Sequence, residues 1–297
     1  MNRATRGDTF MIWIFLIPTL VFFCLYTLWP LAVGSWYSLL DWNGFERTGR
    51  FVGLANYREL LGDKMFWNAL GKTLLFLVLA VPSRVAFSLL LAVPLNSPRM
   101  PYANAFRTII FLPVVTTASI VGLIMGLIFD PASGPMNELL QLVGIGRVDF
   151  FGSDNAMLTA TVIWVWKWLG ISLIYWLAAL QSIPAELYEA ALVDGSGWVS
   201  TFFRITIPLL APFAGMIVLL TAVDATRVFD LMMSLTGGGP FFKTEVMEIF
   251  IYRWAFGASI PRLGYASAVA ILFGLLFGIL AGMQMLISRL RGKGAPA

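Results

Sequence analysis

Charged side chains interrupt the apolar stretches of this sequence at a few positions where a charge is costly. Asp224, Arg227 and Asp230 follow one another at intervals of three residues, and Thr221 extends the series by one step. In a continuous helix each of them would lie next to the following one, so that the series would extend along the helix surface. A charge in hydrocarbon costs roughly 2.5–3.5 kcal/mol. The spacing therefore predicts either an ion-pair ladder that joins helices or the lining of a polar path for a solute.

Two further cations, Arg84 and Lys167, lie alone in apolar runs. Long basic side chains in such positions either extend to a membrane surface or pair with a carboxylate. We expect each of them to do one or the other, with the carboxylates around Asp224 as candidate partners.

The segment 163–176 combines aromatic rings with hydrogen-bonding groups. Its residues of these two kinds are Trp164, Trp166, Lys167, Trp168, Ser172, Tyr175 and Trp176. Aromatic faces can stack on the C–H faces of sugar rings while polar groups bind the hydroxyls. The alternative is an aromatic belt at a membrane interface, although Trp166 and Lys167 lie near the middle of the apolar run.

The composition excludes several classes of protein. Apolar residues make up 59% of the 297 residues and charged residues only 12%, whereas soluble domains carry about 25% charged residues. The chain has no His and one Cys, Cys24, which excludes His-based triads, His metal sites and intrachain disulfides. A net charge of +4 without a basic run gives no sign of nucleic-acid binding. We expect an integral membrane protein with no catalytic residues and no metal site.

Six apolar runs are long enough, or nearly so, to cross a membrane as helices, which needs about 20 residues each. They cover residues 9–40, 73–97, 108–129, 156–183, 205–223 and 263–288. The sequence thus predicts an all-α polytopic membrane protein with six transmembrane helices. We expect one domain over residues 1–297, with a core at about 70–290 and both termini on the same side. Lys and Arg in the loops do not fix which side that is.

The loop between the fourth and fifth runs, residues 182–206, is longer than a turn requires. It predicts a short helix that begins after Pro184 and ends at Gly195, because Pro favours helix starts and Gly favours helix ends. Small side chains at Ala190 and Ala191 would let another backbone approach closely. A second short amphipathic helix is expected over residues 198–205.

This loop also carries a family resemblance. The matching residues are Glu189, Ala190, Ala191, Asp194, Gly195, Ile207 and Pro208. At this spacing they resemble the EAA loop of permease subunits in binding-protein-dependent ABC importers. The Thr-Gly-Gly-Gly-Pro element at 236–240 is similar to that of MalF/UgpA-like permeases for carbohydrates and glycerophosphates.

The resemblance implies a type I importer fold, a function and a set of partners. The chain would be the transmembrane permease of an ATP-driven importer in membrane lipid, working by alternating access. Its partners would be a second permease, two ABC ATPase subunits and an extracytoplasmic solute-binding protein. ATP and Mg²⁺ would bind to the ATPases, so this chain would be non-catalytic and would hold no cofactor.

The same resemblance implies an orientation and a coupling site. Glu189, Ala190, Ala191, Asp194 and Gly195 would contact the ATPase. The loop and both termini would then lie on the cytoplasmic side of the inner membrane. An ion-coupled secondary transporter with a relay of charges remains the alternative from another class, although no inverted repeat is clear in the sequence.

A cargo and a candidate site follow from the resemblance together with the ionisable residues. The cargo would be a mono- or oligosaccharide or a polyol, with a glycerol-3-phosphate-type solute as the alternative. The expected translocation path comprises Trp166, Lys167, Gly170, Leu173, Thr221, Asp224, Ala225, Arg227 and Val228. We expect Trp166 to stack on the cargo, Gly170 to leave room for it, and Thr221 with Asp224 to bind its hydroxyls.

Overall fold

The computed structural model of the chain describes residues 6–97 and 100–292. Apart from loops and turns, this part is helical, with one small antiparallel ladder in which β1 (Leu40–Asp41) pairs with β2 (Arg50–Phe51). The all-α fold expected from the sequence is confirmed. Residues 1–5 and 293–297, on which the expected cytoplasmic termini depend, lie outside the described residues.

Fourteen α-helices follow one another in the described part of the chain. They are α1 (Arg6–Phe23), α2 (Trp29–Tyr37), α3 (Ala55–Gly62), α4 (Lys64–Leu95), α5 (Ala103–Val115), α6 (Ala118–Ile128), α7 (Pro135–Leu142), α8 (Ala156–Gln181), α9 (Ala185–Val193), α10 (Trp198–Thr201), α11 (Ile207–Ala225), α12 (Phe229–Leu235), α13 (Met247–Tyr252) and α14 (Leu263–Gly292). Three π-helical turns join or extend some of them, at Cys24–Leu28, Phe202–Thr206 and Arg253–Gly257.

The chain divides into two compact units. Among the described residues, the first unit comprises 6–64 and 251–276, and the second comprises 65–97, 100–250 and 277–292. The expectation of a single transmembrane domain stays a prediction.

Five helical spans are long and apolar enough to cross a membrane within the described residues. They are Trp13–Tyr37, Lys64–Leu95, Ala156–Gln181, Trp198–Ala225 and Leu263–Leu280. The third apolar run is different, because α5 and α6 together pass the same test but are bent by 99°. The described residues therefore provide the six crossings expected from the sequence if the bent pair counts as one span, and the third crossing is then broken in the middle.

The bend in the third run falls between Thr116 and Thr117, which both have extended backbone with ψ of 145° and 144°. Pro113 lies in the last turn of α5 and has no N–H to donate to the carbonyl four residues earlier, which weakens that turn. The Thr116 N–H closes the turn on the Pro113 carbonyl at 3.3 Å. Pro113 and the four β-branched residues that follow it, 114–117, disfavour a continuous helix in the middle of this apolar stretch.

Helix α8 occupies the core of the second unit, where it packs against α5, α11 and α12. Trp164 is buried and meets the ring of Phe76 edge to face at 5.5 Å. Trp176 is also buried, and its indole N–H donates to the Val85 carbonyl at 3.1 Å. Two of the tryptophans in 163–176 are therefore packing residues of the core, rather than parts of a belt or of a cargo site.

The fifth span begins earlier than its apolar run. Helix α10, the π-helical turn and α11 form one continuous span, Trp198–Ala225. The short helix expected over residues 198–205 is present as α10 and the π-helical turn, but it runs on into α11 and is therefore the first part of the span. Residues 226–228 then interrupt the helix, and α12 packs against α6.

Candidate functional site

An ion pair joins α4 to the end of α11 in the second unit. Arg84 Nη1 donates to Asp224 Oδ2 at 3.1 Å. The Arg84 side chain is completely buried, whereas the Asp224 side chain is 43% exposed. The guanidinium also lies over the Trp164 ring, 5.1 Å from its centroid. The expectation that Arg84 pairs with a carboxylate is confirmed.

The expected ladder of Asp224, Arg227 and Asp230 is wrong in its geometry. Helix α11 ends at Ala225, so Asp224 and Asp230 belong to different helices. Arg227 lies in the break between them and is exposed. The partner of Asp224 is Arg84, 140 positions earlier in the chain.

Lys167 pairs with backbone carbonyls rather than with a carboxylate. Its Nζ donates to the Thr116 carbonyl at 2.8 Å and lies 3.4 Å from the Pro113 carbonyl. The side chain is buried, and Nζ lies 4.1 Å from the centroid of the Trp168 ring. Neither the expected surface position nor a role in an open path fits this environment.

Gly170 leaves room for a helix rather than for a cargo. A Cβ atom at this position would lie 2.8 Å from Phe111 Cα and 2.9 Å from the Ile110 carbonyl oxygen. Such distances are shorter than ordinary van der Waals contact, so the missing side chain lets α8 and α5 approach each other. The expectation that a sugar ring approaches Gly170 is corrected by this contact.

The remaining path residues divide by exposure. Leu173, Ala225 and Val228 are buried in apolar clusters of the second unit, and Thr221 is completely buried. None of these four faces an open path in this structure, because neighbouring side chains cover them. The expected path residues with exposed surface are Trp166, Asp224 and Arg227.

The helix expected in the loop 182–206 is confirmed as α9. It begins directly after Pro184, and Gly195 follows its end with φ of +71°, a conformation that glycine adopts at little cost. Along it, Ala191 is buried, whereas Glu189 and Ala190 are exposed.

The surface around α9 is apolar and open. Its exposed large side chains include Leu187, Leu192, Val193, Trp198 and Val199, and Asp194 and Gly195 are exposed beside them. A cavity of about 570 Å³ lies under the loop and reaches Tyr188, Glu189 and Thr206. The Tyr188 and Thr206 hydroxyls are 3.2 Å apart and link α9 to the start of α11.

Relatives of the chain are found among individual proteins, although no family model matches it. The probable ABC transporter permease protein YurN of Bacillus subtilis is 35% identical over 277 residues, which cover 92% of this chain and 94% of YurN. The lactose transport system permease protein LacF of Rhizobium radiobacter is 31% identical and covers 94% of each chain. The chain belongs to the ABC transporter permeases. The family expected from the sequence is confirmed.

The fold of the permease has also been solved in another protein. A crystal structure of a bacterial ABC transporter involved in the import of the acidic polysaccharide alginate superimposes with a TM-score of 0.82 at 23% identity. The match covers 95% of the permease and 96% of that chain. At this identity the likeness confirms the fold.

Sequence reasoning missed two features of the permease. One is the close approach of Phe111 to Gly170, for which a glycine amid the large residues of α8 is the one available signal. The other is the loop after the Thr-Gly-Gly-Gly-Pro element, where Phe241 and Phe242 both have positive φ, of 50° and 60°. No sequence rule predicts that conformation at a bulky aromatic residue.

Proposed function

We propose that this permease moves a mono- or oligosaccharide, or a polyol, into the cell by alternating access, driven by ATP that partner subunits hydrolyse. The observation that carries the proposal is the exposed loop helix α9. It presents Glu189 beside apolar side chains such as Leu192 and Val193, which are more than half exposed. An exposed apolar surface of this kind suits a protein partner.

The contacts of α9 provide a route from that surface into the membrane. Tyr188 touches Thr206, which directly precedes α11, and α11 is helical without interruption up to Ala225. Rigid helices transmit displacements along their axes. A movement of α9 would therefore reach Asp224 and its ion pair with Arg84.

The proposal includes the partners that the family resemblance implies. They are a second permease, two ABC ATPase subunits that hold ATP and Mg²⁺, and an extracytoplasmic solute-binding protein. The permease would lie in the inner membrane with the loop 182–206 and both termini in the cytoplasm. It would bind no cofactor of its own.

The choice of a sugar is supported by the relative named for lactose transport and by the half-exposed ring of Trp166. Asp224 adds an accessible carboxylate that can accept hydrogen bonds from hydroxyl groups. These two residues replace the larger cargo site expected from the sequence. The exposed cation Arg227 favours the alternative cargo, a glycerol-3-phosphate-type solute.

Uptake by the complete transporter in proteoliposomes tests the coupling site. Glu189→Ala removes the exposed carboxylate, and Gly195→Pro cannot adopt the positive φ of this turn. We expect both variants to insert normally and to lose ATP-driven uptake. Glu186→Ala, the same change one turn earlier on α9, serves as the matched control. Full uptake and full transport-linked ATP hydrolysis in the Glu189 and Gly195 variants would contradict the coupling role.

The cargo class is tested by competition in the same vesicles. Neutral mono- and oligosaccharides and polyols are compared with glycerol 3-phosphate as competitors, and thermal shift of the solute-binding protein reports the same preference independently. Inhibition by a neutral sugar or polyol alone supports the proposal. Inhibition by glycerol 3-phosphate alone supports the alternative.

A further inference from the structure

The bend between α5 and α6 leaves an unusual electrostatic feature inside the second unit. Because the helix stops at Thr116, the last carbonyls of α5 lack the partners that a further helical turn would give them, and the Pro113 carbonyl accepts instead a turn hydrogen bond from the Thr116 N–H at 3.3 Å. These oxygens carry the negative end of the helix dipole. In several transporter folds the C-terminal ends of such half-helices bind Na⁺ or a proton.

In this permease the ammonium group of Lys167 lies at that position. Nζ donates to the Thr116 carbonyl at 2.8 Å, lies 3.4 Å from the Pro113 carbonyl, and is covered by the ring of Trp168 at 4.1 Å. The side chain is 1% exposed. Carbonyl oxygens on one side and an aromatic face on the other are both favourable surroundings for a desolvated ammonium.

The ordinary explanations for a lysine in an apolar helix do not fit these contacts. Lys167 lies near the middle of α8, with its side chain buried, so it does not extend to a membrane surface. Within the part of the chain that the structure describes, no carboxylate is within ion-pair distance of Nζ.

We infer that the ammonium group of Lys167 acts as a monovalent cation, held in place by its own side chain, and fixes the bend between α5 and α6. Lys167 is thereby a positioning residue for transport. Helix α8 packs along α5, and α6 packs against α12, which follows the break after α11. Fixing the bend therefore holds both half-helices against the elements that flank Asp224. The effect on uptake rests on the proposed function, whereas the effect on the bend does not.

Distance measurement between two spin labels tests the bend without any cargo. Ile109 on α5 and Leu127 on α6 are both about two-thirds exposed and can be replaced by labelled cysteines after Cys24→Ser. In the assembled transporter we expect one narrow distance distribution with Lys167 and with Lys167→Arg. Lys167→Met should broaden it. Lys72→Met, the same change at a lysine of α4, is the matched control.

Chemical rescue distinguishes a cation site from general packing. In Lys167→Ala we expect methylammonium to restore the narrow distribution in a saturable manner, because it returns an ammonium to the two carbonyls. An uncharged molecule of similar size, ethane, should not restore it. We also expect uptake to fall by roughly 10- to 100-fold in Lys167→Met, the range for a lost charged hydrogen bond, and to recover in Lys167→Arg.

Each outcome decides the inference. An unchanged distance distribution in Lys167→Met overturns it, whatever the uptake. A broadened distribution with unchanged uptake overturns the transport role and leaves the proposed function intact. If Lys167→Met does not accumulate in the membrane, the inference still requires Lys167→Arg to accumulate with the wild-type distribution, and failure of both overturns it.

Discussion

At the scale of residues, the permease accommodates two buried cations by different means. Arg84 has a carboxylate partner at 3.1 Å, whereas Lys167 has two carbonyls at the end of a broken helix. Each also lies over a tryptophan ring. Tryptophans beside lone cations in apolar helices can therefore reflect cation–π contacts as well as cargo stacking.

The Arg84–Asp224 pair gives a prediction about stability. Asp224→Ala removes the carboxylate and leaves the buried guanidinium unpaired, so we expect the free energy of unfolding to fall, toward the low end of roughly 3–5 kcal/mol because Asp224 is partly exposed. The double variant Arg84→Met, Asp224→Ala should regain most of that loss. Thermal unfolding in detergent measures both. Equal melting temperatures for wild type and Asp224→Ala would show that the pair contributes nothing.

Trp166 gives a prediction about cargo affinity. Trp166→Ala removes the half-exposed ring, and we expect apparent affinity for a sugar to fall about tenfold, equivalent to about 1.4 kcal/mol. Basal ATP hydrolysis and assembly should not change. Val162→Ala, one turn earlier on α8 and also exposed, is the control. If both variants transport normally, the ring faces lipid or a partner subunit instead.

At the scale of elements, the permease works with interrupted helices. The third run bends at Thr116 and Thr117, and the fifth span stops at Ala225 before α12 begins. Both interruptions lie beside a buried cation with polar partners. Carbonyl and N–H groups freed at a break must find partners in a membrane. In this fold each of the two helix interruptions therefore has a buried charge close to it.

The link between α9 and α11 is testable as an element-level contact. We expect Tyr188→Phe and Thr206→Val each to lower the amount of solute imported per ATP hydrolysed, because each removes one hydroxyl of the 3.2 Å contact. The double variant should be no worse than either single variant, since both changes remove the same interaction. Tyr102→Phe, at an exposed tyrosine, is the control. Additive losses in the double variant would show that the two hydroxyls act separately.

At the scale of the whole molecule, the chain combines exposed apolar surface on its spans with ion pairs outside them. The first span has no buried side chains in its apolar window, so lipid or partner subunits must cover it. In the same unit Arg262 donates to both Glu59 carboxylate oxygens, at 2.6 and 2.7 Å. This pair lies outside the membrane spans and links the residue before α14 to α3.

The Glu59–Arg262 pair predicts a pH dependence. The hydrogen bond and charge of Arg262 hold the pKa of Glu59 below its ordinary value of 4.5. A carboxyl group with a lowered pKa contributes stability above its unfolded-state pKa and loses it as pH falls through the folded-state pKa. We expect the melting temperature to fall more between about pH 5 and pH 3 in wild type than in Glu59→Gln. Parallel pH profiles would show that this exposed pair is too weakly coupled to matter.

The membrane class, the helical fold and the helix α9 between Pro184 and Gly195 could be predicted from the sequence, because composition, run length and local turn chemistry need only neighbouring residues. The family could be predicted from the resemblance of residues 189–195 and 236–240 to the motifs of ABC importer permeases. Three contacts could be known only from the tertiary structure. Asp224 pairs with Arg84, and Lys167 binds the carbonyls of Thr116 and Pro113. Helix α5 packs closely against Gly170. Partners 51 to 140 positions apart are chosen by how helices pack, and spacing along one helix cannot show that.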